Sequence, residues 1–212
     1  MELFNKGAVK MIPIVQVLNG VRVIPIVRHH DTNVAMWQCQ ALVEGGFPVI
    51  EIALTTPNPD RLFRHFIQRY PGVTWAAGTV LTRDMAAIAL DAGARLVISP
   101  DYSQEVAHYA AEHDVPYIPG VMTPSEISRA LREGLTVLKL FPAGTVGEGH
   151  LKAVQKVFPA VRFIPTGGIG AEDVDSWLAC GALAVGLGGK LLQGTATEIT
   201  ERSRRLLQGG RL

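Results

Sequence analysis

One rhythm recurs eight times along this chain: a short apolar segment, a polar turn, then an amphipathic segment, often closed by glycine. Short apolar runs between turn residues read as strands, and apolar residues three and four apart read as helices. The strands are expected at about 21–28, 48–54, 73–78, 95–99, 115–119, 135–141, 161–165 and 183–187. The helices are expected at about 32–44, 58–69, 82–92, 103–113, 124–133, 149–157, 171–180 and 196–208. Gly45-Gly46, Gly93, Gly134 and Gly181 stand where helices end, as left-handed caps before the next strand. Strands that alternate with helices pair in parallel. Eight such units in 212 residues predict an α/β chain folded as a (β/α)8 TIM barrel, one domain over 1–212. A doubly wound sheet needs a topological switch and usually fewer strands. The segment before Val21 is expected to form an extra N-terminal helix that closes the barrel bottom.

Charges inside the apolar strands carry the functional signal. Lys139 lies in Leu135-Thr136-Val137-Leu138-Lys139-Leu140-Phe141-Pro142. Side chains alternate across a strand, so Val137, Lys139 and Phe141 share one face while Leu138 and Leu140 take the other. Both faces are apolar, as in a parallel strand covered on both sides. A lysine there loses hydration, which disfavours its charged form. That is the condition for an amine nucleophile that makes a Schiff base with a carbonyl substrate. A strand-end lysine that snorkels to water is the plain alternative. Glu51 interrupts Val49-Ile50-Glu51-Ile52-Ala53-Leu54, and Arg28 ends Val23-Ile24-Pro25-Ile26-Val27-Arg28. Such residues are rarely buried unless paired. Three in separate strands suggest a polar cluster in an apolar barrel. In this fold the active site lies at the C-terminal strand ends, where Arg28, Glu51, Thr79, Pro100, Lys139 and Thr166 all fall. Arg22, Arg95 and Arg162 fall at strand starts, on the opposite face.

The loops after the seventh and eighth strands are glycine-rich: Thr166-Gly167-Gly168-Ile169-Gly170 and Gly186-Leu187-Gly188-Gly189-Lys190. TIM barrels often hold phosphate there on bare backbone N–H groups. Either glycine pair alone would mark only a turn. Together they predict a phosphate site, to which Lys190 adds a positive charge.

Composition narrows the rest. Charged residues make up 18% and hydrophobic residues 48%, so the chain is globular rather than disordered. A net charge of +1 gives no electrostatic case for nucleic acid or an anionic membrane. Cys39 and Cys180 are far apart and have no metal-ligand spacing. Pro13 and Gln16 interrupt the apolar run from Met11 to Leu18, and no run reaches membrane-spanning length. A cytoplasmic location is the simplest expectation.

At these residues the chain resembles the class I aldolases acting on 2-keto-3-deoxy-6-phosphogluconate (KDPG) and 4-hydroxy-2-oxoglutarate (KHG). The resemblance rests on Ile50-Glu51-Ile52, Ala77-Gly78-Thr79-Val80, Ile98-Ser99-Pro100, Ile118-Pro119-Gly120-Val121-Met122-Thr123-Pro124, Leu138-Lys139-Leu140-Phe141-Pro142 and Pro165-Thr166-Gly167-Gly168. It covers roughly residues 21 to 190. It implies that Lys139 forms the Schiff base and that Glu51 moves protons through a bound water. Arg28 and Thr79 would hold the pyruvyl carboxylate, Phe141 would pack on the substrate chain, and Pro100 would shape the pocket. Thr166, Gly167, Gly168, Gly188 and Gly189 would form the distal, phosphate-binding end. A homotrimer with no metal or other cofactor is implied. Some members carry Arg where this chain has Thr55; others carry it at the end of strand one, as Arg28 does here. The serine that some members place at or next to Gly189-Lys190 is absent. Other readings stay open: an aldolase for the galactonate-type epimer, a phosphate-binding isomerase or epimerase with Glu51 as base, or a catalytically silent sugar-phosphate binder.

Overall fold

A computed structural model describes residues 14–18 and 20–208. The strands are β1 (Val23–Val27), β2 (Val49–Ala53), β3 (Thr74–Gly78), β4 (Leu96–Ile98), β5 (Tyr117–Ile118), β6 (Gly120–Val121), β7 (Val137–Leu140), β8 (Arg162–Pro165) and β9 (Val185–Leu187). The helices are α1 (Ile14–Val17), α2 (Thr32–Gly45), α3 (Pro59–Arg69), α4 (Arg83–Asp91), α5 (Gln104–Glu112), α6 (Pro124–Arg132), α7 (Ala143–Val157), α8 (Val174–Ala179) and α9 (Ala196–Leu207). All strand pairings are parallel, in the orders β5-β4-β3-β2-β1-β9 and β6-β7-β8. A bridge between Thr166 and Gly186 links the ends of β8 and β9. The result is an α/β fold whose parallel sheet curls around a concave face.

The curl separates two apolar cores. One packs Leu138, Leu140, Ile50 and Ile52 against the helices. The other fills the concave face with Ile24, Val49, Ala76, Ile98, Ile118, Val137, Ile164 and Ala184. Val137 and Leu138 therefore face opposite ways, as strand alternation requires. The short helix α1 sends Ile14 into the concave core, joined by Leu18 just beyond it. The rest of the N-terminal segment lies outside the described residues.

Local chemistry explains the element ends. Thr123 and Glu126 form a reciprocal capping box on α6, and Thr195 and Glu198 form one on α9. Gly46, Gly93, Gly134 and Gly181 adopt positive φ at helix ends, the conformation a side chain disfavours. Three expectations need correction. The strand expected at 115–119 appears as β5 and β6, broken at Pro119, which has no N–H for a ladder. The helix expected at 149–157 begins at Ala143 and kinks at Gly147, whose φ is 75°. The helix expected at 171–180 opens as a 3₁₀ turn over Ala171–Asp173.

Candidate active site

One pleat above the concave core, the same face carries Ile26, Glu51, Gly78, Pro100, Gly120, Lys139, Thr166 and Gly186, each two residues past a core member. The period of two thus gathers the interrupting charges into one ring. Register agrees: Ile26 pairs with Glu51, Gly120 with Lys139, and Lys139 with Ile164. Lys139 Nζ lies 3.7 Å from Glu51 Oε1, and their side chains are only 5% and 2% exposed. That is an ion-pair distance but too long for a hydrogen bond. Among the described residues Glu51 Oε1 has no hydrogen-bond partner, so this acceptor is buried and unsatisfied there. Lys139 Nζ also sits 5.4 Å from the centroid of the Phe141 ring.

Glycines make room for the polar groups of this ring. A Cβ on Gly78 would lie 2.0 Å from Glu51 Oε1, and one on Gly186 would lie 2.3 Å from Thr166 Oγ1. A Cβ on Gly120 would lie 2.0 Å from the carbonyl oxygen of Pro100. The residue that follows Pro100 anchors this stretch of backbone. Asp101 O accepts from Gly120 N at 3.1 Å and from the Tyr117 hydroxyl at 3.3 Å. Burial pushes the Tyr117 phenol up to about 12. Backbone cannot rotate away as a flexible side chain can. Gly120→Ala should therefore destabilise the fold by at least about 1–3 kcal/mol, the usual range for overpacking. The urea midpoint measures it, and an unchanged midpoint refutes the contact.

Arg28 and Thr79 meet at the rim. Arg28 Nη2 donates to Thr79 Oγ1 at 2.9 Å. Thr79 has φ 59°, an uncommon conformation for a β-branched residue. Such strain costs roughly 1–3 kcal/mol and gathers at functional sites. Among the described residues, the ion pairs join Arg22 with Asp175, Lys139 with Glu51, and Lys190 with Glu172; Arg28 is in none of them. Its exposed guanidinium is available for an anion. Thr55, the alternative arginine position, is also exposed.

A cavity of about 350 Å³ opens on this ring. Its lining includes Arg28, Lys139, Phe141, Thr166, Gly167, Gly168, Gly188, Gly189 and Lys190. Glu51, Thr79 and Pro100 do not line it; each supports a neighbour, touching Lys139, Arg28 and the Gly120 backbone respectively. Ile169 and Gly186, from the two glycine-rich loops, also line it, and so does Ile26, for which the sequence predicts no role. Gly186 carried a readable signal, since glycine within a strand marks a close approach. Ile26 was reachable by counting two back from Arg28. The Gly167-Gly168 turn lies against Phe141 and Gly144: a Cβ on Gly167 would lie 2.9 Å from the Phe141 ring, and one on Gly168 would lie 3.3 Å from Gly144 Cα. No group of three or more His, Cys, Asp or Glu suited to a metal occurs among the described residues. Among them, no helix is long and apolar enough to cross a membrane.

A buried amine beside a buried carboxylate, in a cavity with a glycine-lined far side, suits imine chemistry on a keto acid. The family model for KDPG and KHG aldolases matches residues 14–204. The chain belongs to this aldolase family. A 2-dehydro-3-deoxy-phosphogluconate aldolase of Treponema pallidum is 35% identical over 205 residues, which cover 93% of this chain and 98% of the relative. A KDPG aldolase structure from Legionella pneumophila, with pyruvate captured at low pH as a covalent carbinolamine intermediate, is 32% identical with TM-score 0.83. That match covers 90% of this chain and 96% of the other. A KDPG aldolase structure from Zymomonas mobilis ZM4 with 3-phosphoglycerate is 30% identical with TM-score 0.84, covering 94% and 97%.

Proposed function

We propose that this aldolase-family protein is a class I lyase that cleaves KDPG to pyruvate and glyceraldehyde 3-phosphate, or 4-hydroxy-2-oxoglutarate to pyruvate and glyoxylate. The observation that carries the reading is Lys139 Nζ buried 3.7 Å from Glu51 Oε1 at the base of the cavity. Lys139 gives up a proton to solvent and attacks the C2 carbonyl; the carbinolamine hydroxyl takes a proton back and leaves as water, giving a protonated imine. Glu51 takes the proton of the C4 hydroxyl through a water. The C4 alkoxide becomes an aldehyde as the C3–C4 electron pair moves into the imine, giving an enamine. Glu51 returns a proton to C3, and hydrolysis releases pyruvate and free Lys139.

The other residues divide the substrate between them. Arg28 and Thr79 hold the carboxylate next to C2. Phe141 packs on the carbon chain, and Pro100 shapes the pocket through its contact with Gly120. Thr166 and the amides of Gly167, Gly168, Gly188 and Gly189 take the distal phosphate, with Lys190 at its edge. We read the curled sheet as a (β/α)8 barrel: β5 and β6 count as one strand interrupted at Pro119, and the Thr166–Gly186 bridge supports closure between β8 and β9. Helix α1 closes its lower end. Residues 1–212 are taken as one domain, cytoplasmic and assembled as a homotrimer, a state that sedimentation equilibrium tests.

Borohydride reduction with pyruvate tests the imine. A stable adduct on Lys139, located by peptide mass mapping, is expected; the isomerase and silent-binder readings predict none. Because the imine is itself the electron sink, prolonged EDTA treatment should leave pyruvate release intact. Loss of activity restored by a divalent metal would overturn that expectation. Gly189→Val tests the distal end. Gly189 has ordinary φ and, among the described residues, nothing within 4 Å of a Cβ, so the variant should keep its melting temperature. Gly168, with φ +75°, would confound the result with strain. The valine should lower kcat/KM about 10- to 100-fold for KDPG relative to its unphosphorylated analogue, about the worth of one hydrogen bond to a charged group. Equal losses for both substrates would remove the phosphate assignment. The assay panel includes the C4 epimer, which distinguishes gluconate-type from galactonate-type substrates.

A further inference from the structure

Lys190, which lines the cavity's distal end, already has an anionic partner within the protein. Glu172 follows the Gly167-Gly168 loop, in the 3₁₀ turn Ala171–Asp173. Its carboxylate folds back onto that loop: a Cβ on Gly170 would lie 2.3 Å from Glu172 Cδ. Glu172 Oε1 meets Lys190 Nζ at 3.3 Å, with side chains 59% and 69% exposed. Its own amide N–H and Lys190 hold the Glu172 carboxyl below the usual carboxylate range, so it is ionised at neutral pH. Neighbouring Asp173 accepts from Gly170 N at 3.2 Å. Lys190 lines the same cavity wall as Gly188 and Gly189.

We propose that Glu172 is a specificity-determining residue: it holds Lys190 before substrate binds, and Lys190 changes partner from this carboxylate to the substrate's phosphate. The proposal rests on the aldolase reading for its substrate and on the Lys190–Glu172 pair for its device. An exposed ion pair is weak and salt-screened, so releasing it is easy. A phosphate ester near neutral pH carries more charge than a carboxylate and offers three acceptor oxygens. The ammonium, on a flexible stem with rotatable donors, is suited to the exchange. A substrate without phosphate leaves Lys190 on Glu172. The pair thus lowers the gain from a phosphate below what a free lysine would give, and Glu172 sets how far the site favours phosphorylated over unphosphorylated acids.

The test is a double-mutant cycle on Glu172→Gln and Lys190→Met, with two readouts. The first is the ratio of kcat/KM for KDPG to that for its unphosphorylated analogue. Glu172→Gln should raise this ratio about two- to fivefold and Lys190→Met should lower it about tenfold, as befits exposed and phosphate-paired charges respectively. In the Lys190→Met background, Glu172→Gln should have no effect. The second readout is the Kd of inorganic phosphate, measured by calorimetry on each variant without turnover. It should fall in Glu172→Gln and rise in Lys190→Met. An effect of Glu172→Gln that persists undiminished without Lys190 would show simple repulsion and overturn the exchange; so would an unchanged ratio and Kd in Glu172→Gln. Phosphate binding that follows the cycle in a protein with no cleavage activity would sink the aldolase reading and leave the exchange standing.

Discussion

Lys139→Arg should fold and bind but release no pyruvate. Arginine keeps the positive charge beside Glu51, and the Lys139–Glu51 distance of 3.7 Å leaves a partner for it. A buried carboxylate left without its cation is costly, so this variant spares the fold better than Lys139→Ala does. Guanidinium is not deprotonated in proteins and cannot attack a carbonyl. Cleavage should fall at least about 10³-fold, equivalent to ~4 kcal/mol on the barrier. Circular dichroism and the urea midpoint check the fold, and borohydride with pyruvate should trap nothing. Activity within about tenfold of the parent, ~1.4 kcal/mol, is incompatible with an imine on this residue.

Glu51→Gln should separate imine formation from turnover. The amide keeps the shape that fits over Gly78 and loses the ability to carry a proton. Proton transfer by a positioned group is typically worth about 10²- to 10⁴-fold, so kcat should fall within that range. Trapping of pyruvate on Lys139 should persist. Exchange of the pyruvate methyl protons with deuterated water should slow in parallel with kcat, because both need a proton moved at C3. Exchange at the parent rate would assign the base to another group. The amide also gives Lys139 a neutral neighbour, so a modest loss of stability is expected with it.

Lys139, Glu51 and Arg28 were legible in the sequence because each breaks an apolar strand; that Lys139 and Glu51 meet was not, because alternation within one strand says nothing of the face another strand presents. The glycine loops were legible because two of them follow the last two strands. The path from Ala143 to Gly149 was not: Gly144, Gly147 and Gly149 read as loop, yet packing beside Gly167 and Gly168 holds the segment helical on either side of Gly147. The pairing of Lys190 with Glu172 was also beyond reach. The residues are 18 apart, on loops that only the curl of the sheet brings together. Gly78, Gly120 and Gly186 fall between. Their place at strand ends could be read, but not which neighbour fills the space each leaves.

That borrowed space has a consequence for how the site can change. Around the ring, Glu51 leans over Gly78, the Pro100 carbonyl over Gly120, and Thr166 over Gly186. The first and last pairs divide one side chain's volume between two neighbouring positions, whereas Gly120 gives its space to backbone. Positions 51 with 78 and 166 with 186 are therefore two units of heredity: a larger residue at Gly78 or Gly186 demands a smaller or displaced one next door, while at Gly120 no neighbouring substitution makes room. Ile26 and Lys139 stand outside these pairs. A library that varies single ring positions samples mostly collisions, whereas one that varies 51 with 78, or 166 with 186, searches combinations that the backbone can hold. By the same logic, divergence in this ring should leave correlated rather than independent substitutions between neighbouring strands.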